Sequence, residues 1–311
     1  MRLVFCGTPE FAVPTLRRLL AEPEFILAAV LTQPDRPKGR GLDEVFSPVK
    51  AAALAAGIPV HQPEKVGTPE IGELLKNFAP DAVVILAYGQ LIPAALLAIP
   101  RLGWINLHAS LLPKYRGAAP IAWAIANGES RTGLTTMQID AGMDTGPMLL
   151  QLEMEILPRE TAPELSARMA EAGAPLVVET LRGFDRGAIA PRSQDHSQAT
   201  YAPLLKREHG RIDWTQTAQQ IDNRIRAFAP WPGAFTSFRG QRCHIWGRPA
   251  LATAAESAVG MLLEHGNDLD VTCGGGTFLR VEAVQLEGRK RISTREFLSG
   301  ARLAPGDRFG E

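Results

Sequence analysis

The sequence predicts an α/β fold: an open, mostly parallel sheet wound with helices, followed by a smaller all-β unit. Two patterns predict it. In the first half, short and continuously apolar runs alternate with helical periodicity, the βαβα order of a parallel sheet covered on both faces. After residue 205, one helical pattern precedes five short strand-like runs separated by glycine, the spacing of a small barrel. A chain of 311 residues accommodates one large or two ordinary domains. The expected boundaries are 1–186 for the α/β domain, 187–205 for a linker rich in Pro, Ser, Gln and Asp, and 206–311 for the second domain.

Taken in order, residues 3–6 form a buried strand. Residues 11–21 form a helix with Phe11, Leu16, Leu19 and Leu20 on one side. Strands over 25–32 and 58–61 flank a helix over 48–57, and the alternation continues through 71–78 and 82–87 to a strand over 104–108. Two further strands cover 134–139 and 148–156, and an amphipathic helix over 161–181 closes the domain. In the second domain a helix spans 218–228, and strands span 235–238, 243–246, 260–263, 269–272 and 278–283.

The bulk composition excludes several classes. The formal charge is zero, so the whole chain favours neither an acidic nor a basic partner. The charge is uneven, however. From Lys206 onward there are 15 Lys and Arg against 12 Asp and Glu, a net of +3, which leaves −3 before it. That sign favours a C-terminal part able to sit near phosphate. Cys6, Cys243 and Cys273 are far apart, with neither metal-ligand spacing nor a disulfide framework. Gly7, Pro9 and Glu10 interrupt any signal-peptide core, and no apolar run approaches the roughly 20 residues of a membrane span. A cytoplasmic protein with no membrane contact is the expectation.

The chemistry concentrates where the strand over 104–108 meets a Pro/Gly-rich loop. Asn106 and His108 are two apart on a strand, so they project from one face. Ligands of open α/β sheets bind at such carboxyl ends. Acyl transfer to an amine needs a donor aimed at the carbonyl oxygen as it becomes anionic, worth about 2.7–4 kcal/mol. It also needs a group that takes the amine proton. An amide and an imidazole side by side supply both. A carboxylate usually orients such a histidine, and Asp144, between Gly142 and Gly146, can reach the sheet edge, while Asp140 can simply cap a turn. No G-x-S-x-G elbow, Walker loop, H-E-x-x-H or G-x-G-x-x-G competes.

These residues stand within a longer pattern. Asn106-Leu-His108 is followed by Ser110-Leu-Leu-Pro113, Tyr115-Arg-Gly117, Thr132-Gly133 and Asp144-Thr-Gly146. In order and spacing the chain resembles the folate-dependent formyltransferases. The resemblance implies a Rossmann-like first domain and transfer of a formyl group from 10-formyltetrahydrofolate without a metal ion. It implies Asn106, His108 and Asp144 as the catalytic trio, and Ser110, Leu111, Leu112 and Pro113 as a folate-contacting loop. It also implies that the stretch 85–93, with Leu86, Tyr88 and Gly89, lines the pterin pocket largely through main-chain groups.

Three more segments bear on the acceptor: Gly7-Thr-Pro-Glu-Phe11, the run from Gln33 to Gly41 leading to Ser47-Pro-Val-Lys50, and Pro230-Trp-Pro-Gly233. They resemble members of the family that act on initiator methionyl-tRNA, which implies an OB-like second domain and, as partners, that tRNA and folate. The loop over 34–46 holds Arg36, Lys38 and Arg40, cations suited to phosphate contacts, and the resemblance takes it into the acceptor arm. Asp43 and Glu44 follow and offset that attraction. Lys206, Arg207, Arg211, Arg224 and Arg226 form a second basic concentration, of which Lys206 and Arg207 are expected on tRNA. Nothing in the sequence suggests an obligate interface, so a monomer is expected. Two alternatives stay open: formylation of a small amine, such as an amino sugar nucleotide or glycinamide ribonucleotide, and a non-catalytic RNA-binding protein.

Overall fold

Strands buried on both faces organise the first part of the chain. The elements are β1 (Arg2–Gly7), α1 (Val13–Ala21), β2 (Ile26–Leu31), β3 (Arg36–Lys38), β4 (Asp43–Val45), α2 (Pro48–Ala55), β5 (Val60–His61), α3 (Pro69–Phe78), β6 (Ala82–Leu86), α4 (Ala94–Leu97), β7 (Trp104–His108), α5 (Pro120–Ala126), β8 (Arg131–Gln138), β9 (Met148–Glu155) and α6 (Ala162–Asp185). This computed structural model describes residues 1–38, 43–250 and 258–311. It divides into two units. The first comprises Met1–Pro120, Arg131–Glu155 and Leu165–Pro203, and the second Ile121–Ser130, Ile156–Glu164 and Leu204–Glu311.

In the first unit a seven-stranded sheet runs in the order β5-β2-β1-β6-β7-β8-β9. The pairs from β5 to β7 are parallel, and β8 and β9 add antiparallel strands. The chain moves outward from β1 to β5 and then returns to β6, so β1 and β6 flank the topological switch point. Val4, Cys6, Val83 and Ile85 share one face and pack with Ile71 and Leu75 of α3. Trp104 joins this layer, and its indole donates to the Leu96 carbonyl at 2.9 Å. Asn106 and His108 continue the same face of β7 beyond Trp104. On the other face, Gly173 of α6 lets the helix approach Leu107 and Leu134.

Two stretches differ from expectation. The basic loop is a hairpin at its base, with Arg36 paired to Val45 and Lys38 to Asp43. Arg40 lies outside the described residues. The expected linker is built into the first unit as far as Pro203. Its Met148–Arg192 and Arg116–Tyr201 bridges satisfy the backbone, and Gln194 is buried.

The second unit continues with α7 (Ala218–Ala227), β10 (Phe235–Phe238), β11 (Gln241–Ala250), β12 (Leu262–His265), β13 (Asp268–Thr272), β14 (Phe278–Leu286), β15 (Ile292–Ser293) and α8 (Thr294–Ala301). Its sheet is antiparallel, in the order β10-β11-β14-β13-β12, with β15 on β14. The C-terminal segment ties the two sheet edges together. Phe309 pairs with Phe238, and Arg308 with Met261 just before β12. A bulge between Trp246 and Gly247 adds coiling. Thr217 with Gln220, and Ser293 with Glu296, cap α7 and α8 reciprocally. The excursion through α5 also belongs here: Trp123 meets Phe228 edge-on at 5.7 Å.

All three cysteines are buried free thiols, and burial pushes Cys243 and Cys273 up to about 12. They act as packing groups. Among the described residues, no helix is long and apolar enough to cross a membrane, and no group of three His, Cys, Asp or Glu side chains could hold a metal ion.

Close packing at β8 generates a test. A Cβ on Gly133 would lie 2.2 Å from the Leu152 carbonyl oxygen and 2.5 Å from Leu111. Gly133→Ala is expected to destabilise the protein by about 1–3 kcal/mol through overpacking. Urea unfolding measures this, and an unchanged midpoint contradicts it.

Candidate active site

Asn106 and His108 stand where expected, at the carboxyl end of β7. They are in register with Met137 and Thr135 of β8, and Asn106 pairs with Ile85 of β6 on the other side. His108 is 6% exposed. Asn106 is half-buried, and its amide makes no hydrogen bond with the described residues, so its donors remain available to a bound group.

His108 Nε2 lies 2.9 Å from the Tyr115 carbonyl. A carbonyl only accepts, so Nε2 carries its proton, and Nδ1 becomes the nitrogen that can gain or lose one. Nδ1 faces Asp144 Oδ2 at 3.7 Å, an ion-pair separation longer than a hydrogen bond. The Tyr115 carbonyl therefore sets the ring, and the carboxylate supplies charge beside the nitrogen that carries no proton. Asp140 does something different. It accepts from Gly142 N at 3.0 Å and Thr145 Oγ1 at 2.7 Å, closing the turn that carries Asp144.

Asp144 is held in a left-handed conformation, with φ of 53°. Such a residue persists only when its surroundings over-determine it. Three contacts do so. Its Oδ2 accepts from Gly117 N at 2.8 Å. Gln194 Nε2 donates to the carbonyls of Asp144 at 2.8 Å and Gly146 at 2.7 Å. Gln194 Oε1 in turn accepts from Arg116 Nε and Nη2 at 3.1 and 2.7 Å. Arg116 is 2% exposed, and its backbone exchanges bonds with Thr200 and Ala202 at 2.8 and 2.7 Å. Gly117, at φ of 115°, lies where a Cβ would sit 2.8 Å from the Ala202 carbonyl oxygen. Residues 194–202 are thus a strap across the loops that carry Gly117 and Asp144. The Tyr115-Arg-Gly117 motif contains Arg116, but its partners Gln194 and Thr200 lie so far along the chain that they leave no local pattern.

The loop over 110–113 is stitched to β8. Thr135 Oγ1 donates to the Ser110 carbonyl at 2.7 Å and accepts from Leu112 N at 3.1 Å. Ser110 is fully buried and its hydroxyl donates to the Lys114 carbonyl at 2.6 Å. Leu112 is buried, Leu111 and Pro113 are half-buried, and the 112–113 peptide is cis.

A cavity of about 540 Å³ opens at the switch point. Thr8 and Pro9 after β1, Gln33, Asp35 and Arg36 after β2, and Ala87, Tyr88 and Gly89 after β6 line it. Leu86 is fully buried at the strand end, so the cavity meets the chain from the next residue onward. The Tyr88 ring belongs to the core, while its carbonyl accepts from Gln33 at 2.9 Å. Asp35 pairs with Lys50, which lies 4.0 Å over the Phe46 ring. The Lys50 ammonium holds the Asp35 carboxyl below the usual carboxylate range.

The second basic concentration is only partly outward. Lys206 and Arg207 are exposed. Arg226 pairs with Asp222 at 2.9 Å and donates to the Glu160 carbonyl, and Arg224 donates to the His209 carbonyl at 2.9 Å. Those two cations are engaged internally.

Comparison with known proteins identifies the family. Residues 1–181 match the family model described as formyl transferase, and residues 204–302 match the formyl transferase C-terminal domain. The chain is 55% identical to the methionyl-tRNA formyltransferase of Solibacter usitatus, covering all of this chain and 99% of that one. It is 53% identical to that of Acidobacterium capsulatum, covering the whole of both. Among solved structures, the N-formyltransferase of Helicobacter canadensis, in complex with folinic acid and dTDP-3-aminofucose, matches with a TM-score of 0.65 at 20% identity. That match covers 93% of this chain and 99% of the other, and at that identity it speaks for the fold alone. By the family match over both halves and by full-length identity above one half, this chain belongs to the formyl transferase family.

Proposed function

We propose that this protein transfers the formyl group of 10-formyltetrahydrofolate to the free amino group of methionine on initiator tRNA. One observation carries the chemistry: an amide with free donors, a histidine whose ring is oriented by a backbone carbonyl and a carboxylate converge at one strand end. The full-length relatives named methionyl-tRNA formyltransferase support the choice of acceptor.

In this reading the amine nitrogen attacks the formyl carbon. Asn106 donates to the formyl oxygen as it takes negative charge. His108 Nδ1 takes the proton that the amine loses, and Asp144 stabilises the imidazolium. The bond from the formyl carbon to the folate nitrogen breaks, and His108 returns the proton to that nitrogen. No step calls on a metal ion. Ser110, Leu111, Leu112 and Pro113 bound the folate side of the site, with Leu86, Tyr88 and Gly89 presenting main-chain groups. The cavity at the switch point touches both Tyr88–Gly89 and Arg36, the base of the basic hairpin. Donor and acceptor segments therefore share one opening. Arg36, Lys38 and Arg40, with Lys206 and Arg207, attract tRNA phosphates. The enzyme works as a cytoplasmic monomer.

A formyl-transfer assay with initiator and elongator methionyl-tRNA at two salt concentrations tests the reading. Initiator tRNA is expected to be formylated preferentially, with affinity falling steeply as salt rises. Formylation of a sugar amine or glycinamide ribonucleotide with tRNA ignored defeats it, as does the absence of any folate turnover. His108→Ala is expected to lower kcat by roughly 10²–10⁴-fold while folate affinity persists. Gln194→Ala releases the Asp144 turn and is expected to lower kcat about ten-fold or more, with the folate KM little changed. A Gln194→Ala enzyme with normal kcat shows that the strap does not position Asp144.

A further inference from the structure

The hairpin of β3 and β4 cannot hold itself in place. Its strands are three residues each, and a two-stranded ribbon alone is marginal in water. Its attitude must come from its two legs, residues 33–35 before β3 and residues 46–47 after β4. Both legs line the cavity at the switch point.

One side chain reaches both legs. Lys50 ends the Ser47-Pro-Val-Lys50 run in the first turn of α2. Val49 and Ala53 of that helix are fully buried, so Lys50 is fixed to the body of the unit. Its backbone N–H donates to Ser47 Oγ at 3.0 Å, and Ser47 Oγ meets Thr32 Oγ1 at 2.8 Å, which ties the second leg to the end of β2. The Lys50 ammonium pairs with Asp35 on the first leg and lies 4.0 Å from the centroid of the Phe46 ring on the second. Gln62, just after β5, also grips the first leg. Its Nε2 donates to Asp35 Oδ1 at 3.0 Å and to the Gln33 carbonyl at 2.9 Å.

The pair is sheltered, with Lys50 14% and Asp35 13% exposed. Removing one member of a sheltered pair strands the other charge, whereas removing both leaves none to compensate. Asp35 also stands beside Arg36 in the cavity lining, where a bare carboxylate would repel the phosphates that Arg36 attracts. Lys50 cancels that charge. A cation already shared between a carboxylate and a ring has little left to offer a phosphate.

We propose that Lys50, through Asp35, is the positioning residue of the basic hairpin. It sets the hairpin at the cavity for the acceptor tRNA and touches no phosphate itself. This role rests on tRNA being the acceptor.

Steady-state formyl transfer to initiator methionyl-tRNA across a salt series tests this, with full-length Lys50→Met, Asp35→Asn and the double variant. Lys50→Met is expected to raise the KM for methionyl-tRNA about ten-fold, with kcat and the folate KM little changed. The slope of log KM against log salt stays that of the wild type, because no phosphate contact is lost. Asp35→Asn is expected to raise the same KM about three-fold or more, although it removes a negative charge near the phosphates. The double variant recovers most of the Lys50→Met loss. In the free protein, amide hydrogen exchange over β3 and β4 accelerates in Lys50→Met and slows again in the double variant. Should Lys50→Met fail to fold, Asp35→Asn answers alone through the direction of its KM. A direct phosphate contact gives the opposite pattern. Asp35→Asn would then free the ammonium and leave the KM unchanged or lower, and Lys50→Met would reduce the salt slope by about one. The double variant would be as weak as Lys50→Met. Any of these results overturns the proposal, as does unaltered exchange in Lys50→Met. A wild-type enzyme that formylates no methionyl-tRNA defeats the underlying reading instead. The exchange experiment needs no tRNA, so the two failures are distinct.

Discussion

The side-chain amide of Gln194 joins three segments that are far apart in the chain. It accepts two bonds from Arg116 and gives two to the carbonyls of Asp144 and Gly146. All of these groups are buried or half-buried, where an unpaired donor or acceptor costs about 1–3 kcal/mol. The clamp therefore resists partial opening. It holds the Asp144 turn against the loop whose Tyr115 carbonyl fixes His108. A left-handed Asp144 is affordable in this setting because its neighbours leave it no other place.

The sheet explains why polar residues can gather here at all. Strands covered on both faces are lined with apolar groups, and only their ends can carry unpaired polar chemistry. Trp104 is core, and Asn106 and His108 are two and four residues further along the same face. Burial of the helix-covered sheet and exposure of its rim thus assign structure and chemistry to successive residues of one strand. The second unit divides its labour by strand alternation instead. Inward residues of β11 fill the barrel, and outward ones present cations and rings.

What was legible in the sequence was whatever has a local period. The apolar runs marked the parallel strands, and the two-residue spacing placed Asn106 and His108 on one face. Asp144 was recognisable from its glycines and from family resemblance. The strap was not legible. Residues 187–205 lack regular apolar spacing and have a turn-like composition, because many of their contacts are hydrogen bonds to distant backbone, which leave no periodicity. The hairpin at Arg36–Val45 carries no strand signal in the sequence, because its strands are three residues long and one contains Pro37. Arg224 and Arg226 read as a basic face, yet a guanidinium with neighbouring carbonyls and Asp222 is as well satisfied inside. The reciprocal cap of α8, Ser293 with Glu296, is a local sequence signal of a helix start.

The central claim is that His108 and Asp144 work as one unit across their 3.7 Å separation. A double-mutant cycle on single-turnover formyl transfer tests it most directly, using His108→Ala, Asp144→Asn and the double variant. If the carboxylate acts through the imidazole, the double variant is no slower than the slower single, a coupling of about 0.5–3 kcal/mol. If the two losses multiply, the residues act independently and the account of the site is wrong.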